Sequence, residues 1–169
     1  MKKIPKLRFK EFNDKLKEKY VSELGSFLGG GTPTTSYEEY WNGDIPWISS
    51  SDLFENNIFQ VNIKKHITQE AIINSATKLI PKNSILIVSR VGVGKISINK
   101  KELCTSQDFI NLIPLKTLDT RYLAYNIKTK LSKLISLNQG TSIKGITKKD
   151  LQDIKIQISS IQEQKKIAV

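Results

Sequence analysis

The sequence predicts a mixed α/β (α+β) domain, in which a twisted, largely antiparallel β-sheet carries a few packed helices. Three observations predict it. Residues 79–114 hold three strand-like runs in succession, at 85–88, 95–99 and 109–113. Leu123, Ile127, Leu131, Leu134 and Ile135 repeat at steps of four and three, which is the apolar stripe of an amphipathic helix. Ile154, Ile156 and Ile158 alternate with Lys155 and Gln157, as in a half-exposed strand.

In chain order, residues 1–19 are rich in lysine, with Leu7, Phe9 and Phe12 spaced through them, and read as a basic arm pinned by a few apolar side chains. Val21 to Leu28 is a short apolar piece, a helical turn or a strand. Gly29-Gly30-Gly31-Thr32-Pro33 must break it, because neither a helix nor a central strand continues through such a run. Tyr37, Tyr40, Trp41 and Trp47 then cluster, and their large rings are expected to close a small satellite core, with base stacking as the sharper alternative. Ser49-Ser50-Ser51-Asp52 offers hydroxyls to phosphate or base edges, or else an N-cap. Thr68 caps a short helix reaching towards Ala76, with Glu70 in its first turn.

The centre follows. Ile85-Leu86-Ile87-Val88 is a continuous apolar run and reads as a strand buried on both faces. Gly92 and Gly94 bracket the bend after it, and Arg90 and Lys95 flank that bend. The stretch 95–99 alternates and is expected to be half buried, and 109–113 supplies the third strand. Asp119 or Thr120 caps the amphipathic helix. Its Lys128, Lys130 and Lys133 lie off the apolar stripe, as on a solvated face. Asn138 to Ser142 ends that helix, and Ile143-Lys144-Gly145-Ile146 suggests another close-approach turn. Thr147 to Asp150 fits a capping box, and Ser160 to Glu163 fits a full one, so a last helix starts near Ile161. It is too short to be stable alone, so the natural chain is expected to continue or to supply a partner for it.

Composition bounds function. The chain has 169 residues, enough for one domain with a real core, and a formal net charge of +11. Such an excess attracts polyanions and steers nucleic acid. A single cysteine, Cys104, excludes an internal disulfide, and a single histidine, His66, argues against a structural zinc site. No signal peptide and no apolar run of about 20 residues is present, so a cytoplasmic protein without membrane attachment is expected.

No catalytic set emerges. Phe27-Leu28-Gly29-Gly30-Gly31 matches the F-x-G-x-G of adenosylmethionine loops, but the Pro-Pro loop of an amino methyltransferase is missing. Gly92-Val93-Gly94-Lys95 fails the Walker pattern at Ser89 and Ile96. Asp153-Ile154-Lys155 has a nuclease-like D-x-K spacing without the preceding Pro-Asp. Charge, glycine loops and a rigid scaffold without catalytic machinery describe a binding module that uses no cofactor and no metal.

Several stretches, in order and spacing, resemble the target recognition domain of the specificity (S) subunit of bacterial type I restriction-modification systems. These are Pro5 to Phe12, Gly30-Gly31-Thr32-Pro33, Tyr40 to Ile48, Ser89 to Lys95, Ser106 to Phe109, Gly140 to Ile146 and Glu163 to Ala168. The sequence departs from the family at Ile158-Ser159-Ser160-Ile161, where prolines usually precede the helix. The resemblance implies that residues 1–160 form a DNA target recognition domain and that 161–169 begin the family's long conserved spacer helix, here truncated. It implies sequence-specific binding of double-stranded DNA, one half of a bipartite target. Modification (methyltransferase) subunits are implied as partners, and a restriction (translocase/nuclease) subunit indirectly. Arg90 is then the expected base reader, Lys95 and Lys144 the expected phosphate contacts, and Thr32, Ser50, Ser51 and Gln107 further DNA-binding candidates. An RNA-binding or ribosome-associated basic domain is the alternative.

Overall fold

The structure is a computed structural model that describes residues 8–137 and 145–168. Among the described residues, ten strands form three sheets. The central sheet is antiparallel, in the order β2 (Gly25–Gly29), β9 (Phe109–Pro114), β6 (Ile85–Val88) and β7 (Ile96–Ile98). A second sheet runs β4 (Lys65–Ile67), β3 (Ile45–Ile48), β8 (Leu103–Thr105) and β5 (Leu79–Ile80). A two-stranded ribbon joins β1 (Lys17–Tyr20) to β10 (Lys155–Ile158). The fold is the expected mixed α/β one with mostly antiparallel strands, distributed over three sheets rather than one.

Strand β6 explains the layering. All four of its residues are buried, as expected from the unbroken apolar run. Side chains alternate across a strand. Ile85 and Ile87 therefore join one core with Ile96, Leu112, Leu123 and Ile127. Leu86 and Val88 join another with Ile48, Ile80, Leu103 and Phe109. Helix α2 (Thr120–Leu137) covers the first face of the central sheet, and the second sheet covers the other. Each fully buried aliphatic side chain of this kind contributes about 1.5–3 kcal/mol relative to exposure.

Most of the predicted elements form. Thr68 accepts a hydrogen bond from Ala71 N and caps α1 (Gln69–Ile73), which ends earlier than the apolar pattern suggested. Asp119 Oδ1 accepts from Arg121 N and Tyr122 N at 3.0 and 3.1 Å and starts α2. Leu123, Ile127 and Leu131 of its stripe are fully covered, while Lys130 and Lys133 stay exposed. Thr147 and Asp150 make the reciprocal capping box of α3 (Lys148–Gln152). The apolar piece after residue 20 becomes both a single 3-10 turn, Val21–Glu23, and β2.

Three expectations need correction. The end of the expected basic arm is not held by its apolar side chains alone: Lys17–Tyr20 is strand β1, paired to a strand far away in sequence. Strand β7 is buried on both faces, because Ser97 Oγ donates to Ile58 O at 3.0 Å and the segment around Ile58 covers its polar side. At α4 (Ile161–Ile167) only half of the capping box exists: Ser160 Oγ accepts from Glu163 N, but the Glu163 carboxylate turns to Arg8 instead.

Candidate nucleic-acid interface

Strands β3 and β8 pair in parallel, with Ile48 beside Thr105. The segments leaving them, Ser49–Asp52 and Ser106–Asp108, therefore emerge at the same end of the sheet. Ser106 N donates to Ile48 O at 2.9 Å and ties the two together. The glycine loop is drawn to the same place. Gly31 N donates to Thr105 O at 2.8 Å, and Trp47 Nε1 donates to Gly31 O at 2.9 Å. Gly30 presses against the backbone of Thr105 and Ser106 so closely that no Cβ fits there. That close approach is the physical reason for glycine at this position. Beyond it, Thr32 Oγ1 is hydrogen-bonded to Gln107 Oε1.

The central hairpin meets this loop cluster from the side. Ser89 N and Ser89 Oγ both donate to Asp108 O, at 2.7 and 2.9 Å. Ile146 N donates to Ser89 O at 2.7 Å, bringing in the segment that leads into α3. The bend itself closes through Val88 N to Lys95 O at 2.9 Å and Gly94 N to Val88 O at 3.0 Å. Gly92 and Gly94 sit at φ +80° and +94°, a region in which side chains are strained.

The result is a cleft of about 540 Å³ whose walls include Gly29, Gly30, Arg90, Gln107, Gly145 and Lys148. Arg90 is exposed and, among the described residues, pairs with no carboxylate. Lys148, the first residue of α3, places its ammonium 5.9 Å from the Phe27 ring centroid. A guanidinium, an ammonium, a primary amide and a threonine hydroxyl thus share one rim. These are the groups that bond phosphate oxygens and base edges.

Of the residues named from sequence, Arg90, Gln107 and Thr32 come together here. Lys95 stands at the far side of the same bend, half buried, on the hairpin rather than in the cleft. Ser51 is exposed on the adjoining loop, its Oγ 2.9 Å from Ser49 Oγ. Ser50 is buried at 8% exposure. Asp52 organises that loop by accepting from Ser49 N and Oγ at 2.8 and 2.9 Å. Lys144, with Ile143 and the expected helix end at Asn138 to Ser142, lies outside the described residues; the other half of the expected close-approach turn is described, with Gly145 at φ +133° against Ser89 O. Lys148 is the group that sequence reasoning missed. The capping box at Thr147 was its signal, because it fixes residue 148 at the start of a helix next to Ile146.

The other motifs resolve into structure. Trp47, Ile67, Ala71 and Cys104 form a third small core with Tyr40 and Trp41 packed on it, which is the packing role expected of the rings. Asp153 pairs with Lys149 at 3.0 Å, and Lys155 with Glu18 at 3.4 Å, so the D-x-K residues face different partners. Burial pushes the Cys104 thiol up to about 12, far from a reactive thiolate. Among the described residues, no group of His, Cys, Asp and Glu is arranged to hold a metal ion, and no helix is long and apolar enough to cross a membrane.

Comparison with known proteins places the chain in a family. The pattern of the family described as type I restriction modification DNA specificity domain matches residues 13–169. The chain is 35% identical over 153 residues to the type I restriction enzyme MjaIX specificity subunit of Methanocaldococcus jannaschii, covering 89% of this chain and 35% of that protein. It is 34% identical over 168 residues to the EcoR124I/EcoR124II specificity subunit of Escherichia coli, covering 95% of this chain and 41% of that one. The chain thus spans between a third and about two fifths of these relatives. Its fold is shared with the HsdS subunit of Thermoanaerobacter tengcongensis, at TM-score 0.65 and 20% identity over 98% of this chain and 38% of that one. It is also shared with the S subunit from M. genitalium, at TM-score 0.67 and 15% identity over 90% of this chain and 37% of that one. With a family pattern covering nearly its whole length and curated relatives above 30% identity, the chain belongs to the type I restriction modification DNA specificity domain family.

Proposed function

We propose that this domain binds double-stranded DNA and reads one half of a bipartite target for a type I restriction-modification complex. The observation that carries the reading is the meeting of four chain segments at one end of a rigid sheet pair. There the exposed Arg90, Gln107 and Lys148 line one cleft, the half-buried Thr32 adjoins it through Gln107, and the Arg90 guanidinium pairs with no carboxylate among the described residues. Arg90 reads a base edge, its fork matching the O6 and N7 of guanine. Lys95, Lys148 and Lys144 hold phosphates, and Ser51, with Ser50 behind it, supplies donors from the adjoining loop. Residues 1–160 act as the recognition unit, and 161–169 begin the spacer helix. Modification subunits carry out adenine methylation, a restriction subunit cleaves, and the whole works in the cytoplasm. The domain itself makes and breaks no bonds.

The test is a competition between duplex DNA and structured RNA, followed by Arg90→Ala. Duplex DNA is expected to win. Arg90→Ala is expected to weaken cognate binding about 5- to 150-fold, the equivalent of roughly 1–3 kcal/mol, and random-sequence binding much less. Preference for RNA would contradict the reading. Equal loss on cognate and random duplex would move Arg90 to the phosphate class.

A further inference from the structure

A second cleft lies on the far side of the glycine loop. It has a volume of about 610 Å³, and its walls include Thr35, Trp41, Asn42, Lys64, Lys65 and His66. The topology sets where it opens. Strand β4 runs antiparallel beside β3, with Lys65 opposite Trp47 and Ile67 opposite Ile45. Lys65, and Lys64 just before it, therefore sit at the end of β3 from which Ser49–Asp52 departs, the same end as the Arg90 cleft.

The tryptophans link the two clefts. Trp47 Nε1 donates to Gly31 O at 2.9 Å and Trp41 Nε1 to Thr34 O at 3.2 Å, so the loop between the clefts is fastened to these rings. The rings pack edge to face with centroids 5.0 Å apart. Lys65 Nζ lies over both, 5.4 Å from the Trp41 centroid and 5.7 Å from that of Trp47. An ammonium held over aromatic faces is fixed in place, yet it keeps N–H donors for an anion. Among the described residues neither Lys64 nor Lys65 meets a carboxylate within ion-pair distance.

We infer that the cleft formed by Lys64, Lys65 and Trp41 is a phosphodiester clamp, which grips the DNA backbone beside the bases read at the Arg90 cleft. The inference rests on the duplex-binding reading of this domain and adds to it the place where the backbone is held. Gly30 lines one cleft and Thr35 the other. Five residues of chain span at most about 18 Å. That is about five base pairs of rise at about 3.4 Å each, and with the reach of the arginine and lysine side chains added the gripped phosphate falls within about one helical turn of the base that Arg90 meets. The clamp engages charge, so it sets register and affinity and leaves sequence preference alone.

The test uses the full chain and duplex DNA carrying its half-site, with one neutral methylphosphonate moved along each strand. For the wild type, one position within about one helical turn of the Arg90 base should weaken binding several-fold. In Lys64→Ala/Lys65→Met, unmodified DNA should bind about tenfold more weakly. That methylphosphonate should then have no further effect, and the preferred sequence should be unchanged. The slope of log affinity against log salt should become shallower by about one to two, at about 0.9 for each phosphate that the variant no longer neutralises. Methionine keeps an apolar stem over the rings; should the double variant still fail to fold, Lys64→Ala alone must show the same loss of sensitivity in weaker form. Unchanged slope and unchanged methylphosphonate sensitivity would overturn the clamp while leaving duplex recognition in place. A changed base preference would also overturn it, by making the cleft a reader of sequence. A wild type that selects no half-site at all would remove the clamp together with the duplex-binding reading.

Discussion

Arg8 uses its guanidinium inside the protein: Nε and Nη2 donate to the two Glu163 oxygens at 2.7 Å each, and the Glu163 side chain is 2% exposed. Arg90 carries the same group at the surface with nothing described to receive it. Truncating one arginine should therefore cost folding, and truncating the other should cost recognition. Glu163→Gln should lower the thermal midpoint by several degrees and leave DNA preference intact, as followed by thermal melts and binding side by side; an altered target with an unaltered melt would contradict this. Cys104 offers a second measurement. With its thiol pushed up to about 12 by burial, iodoacetamide at pH 8 should label it only as fast as the protein opens, and rapid labelling of the folded chain would contradict the buried site. Asp150 supplies the pH dependence. Hydrogen bonds from Thr147, side chain first and then backbone, hold its carboxyl below the ordinary range. A carboxyl depressed in the folded state stabilises fully above its unfolded value and loses that contribution as pH falls through the folded one. Acid melts should accordingly show α3 weakening below the ordinary carboxylate range, and Asp150→Asn should flatten that part of the profile.

Among the elements, the hairpin of β6 and β7 carries the most information, because it belongs to both cores and to the candidate interface. Leu86→Ala and Ile87→Ala open cavities on opposite faces of β6, and each should cost about 2–5 kcal/mol in denaturant unfolding. Gly92→Ala forces a side chain into φ +80°, a strain of about 1–3 kcal/mol. It should therefore loosen the bend beside Arg90 and lower cognate affinity more than it lowers stability. Strands β6 and β9, helix α2 and the caps at Thr68 and Thr147 were legible because each is written in local pattern: an apolar run, a stripe, a hydroxyl three residues before the backbone N–H that it caps. Strand β1 was not, since Lys-Glu-Lys-Tyr has no apolar face and its strand character comes from β10, far along the chain. The buried side of Ser97 and the turning of Glu163 towards Arg8 were hidden for the same reason, as each depends on a partner from a distant segment. At the interface, Arg90 stood out by its glycine-flanked bend. Lys148 joined it only through the backbone bond between Ile146 and Ser89, a tertiary link that composition does not announce.

Taken whole, the molecule places a formal charge of +11 on a fold whose two four-stranded sheets share one core. The parallel pairing of β3 with β8 gathers several loops at one end, so residues separated by dozens of positions in sequence, Arg90 and Lys148 among them, line one cleft. Duplex binding should weaken steeply with salt, through the counterions that the bound phosphates release. The central claim is that this end chooses the sequence, and mapping of methylated sites tests it most directly. Cells should carry the full-length specificity subunit containing this domain, with its modification partners, in wild-type and Arg90→Gln forms. A change of bases in one half of the bipartite motif, with the other half and the spacing kept, is the predicted result. An identical motif in both cells, from a folded and active Arg90→Gln complex, would contradict it.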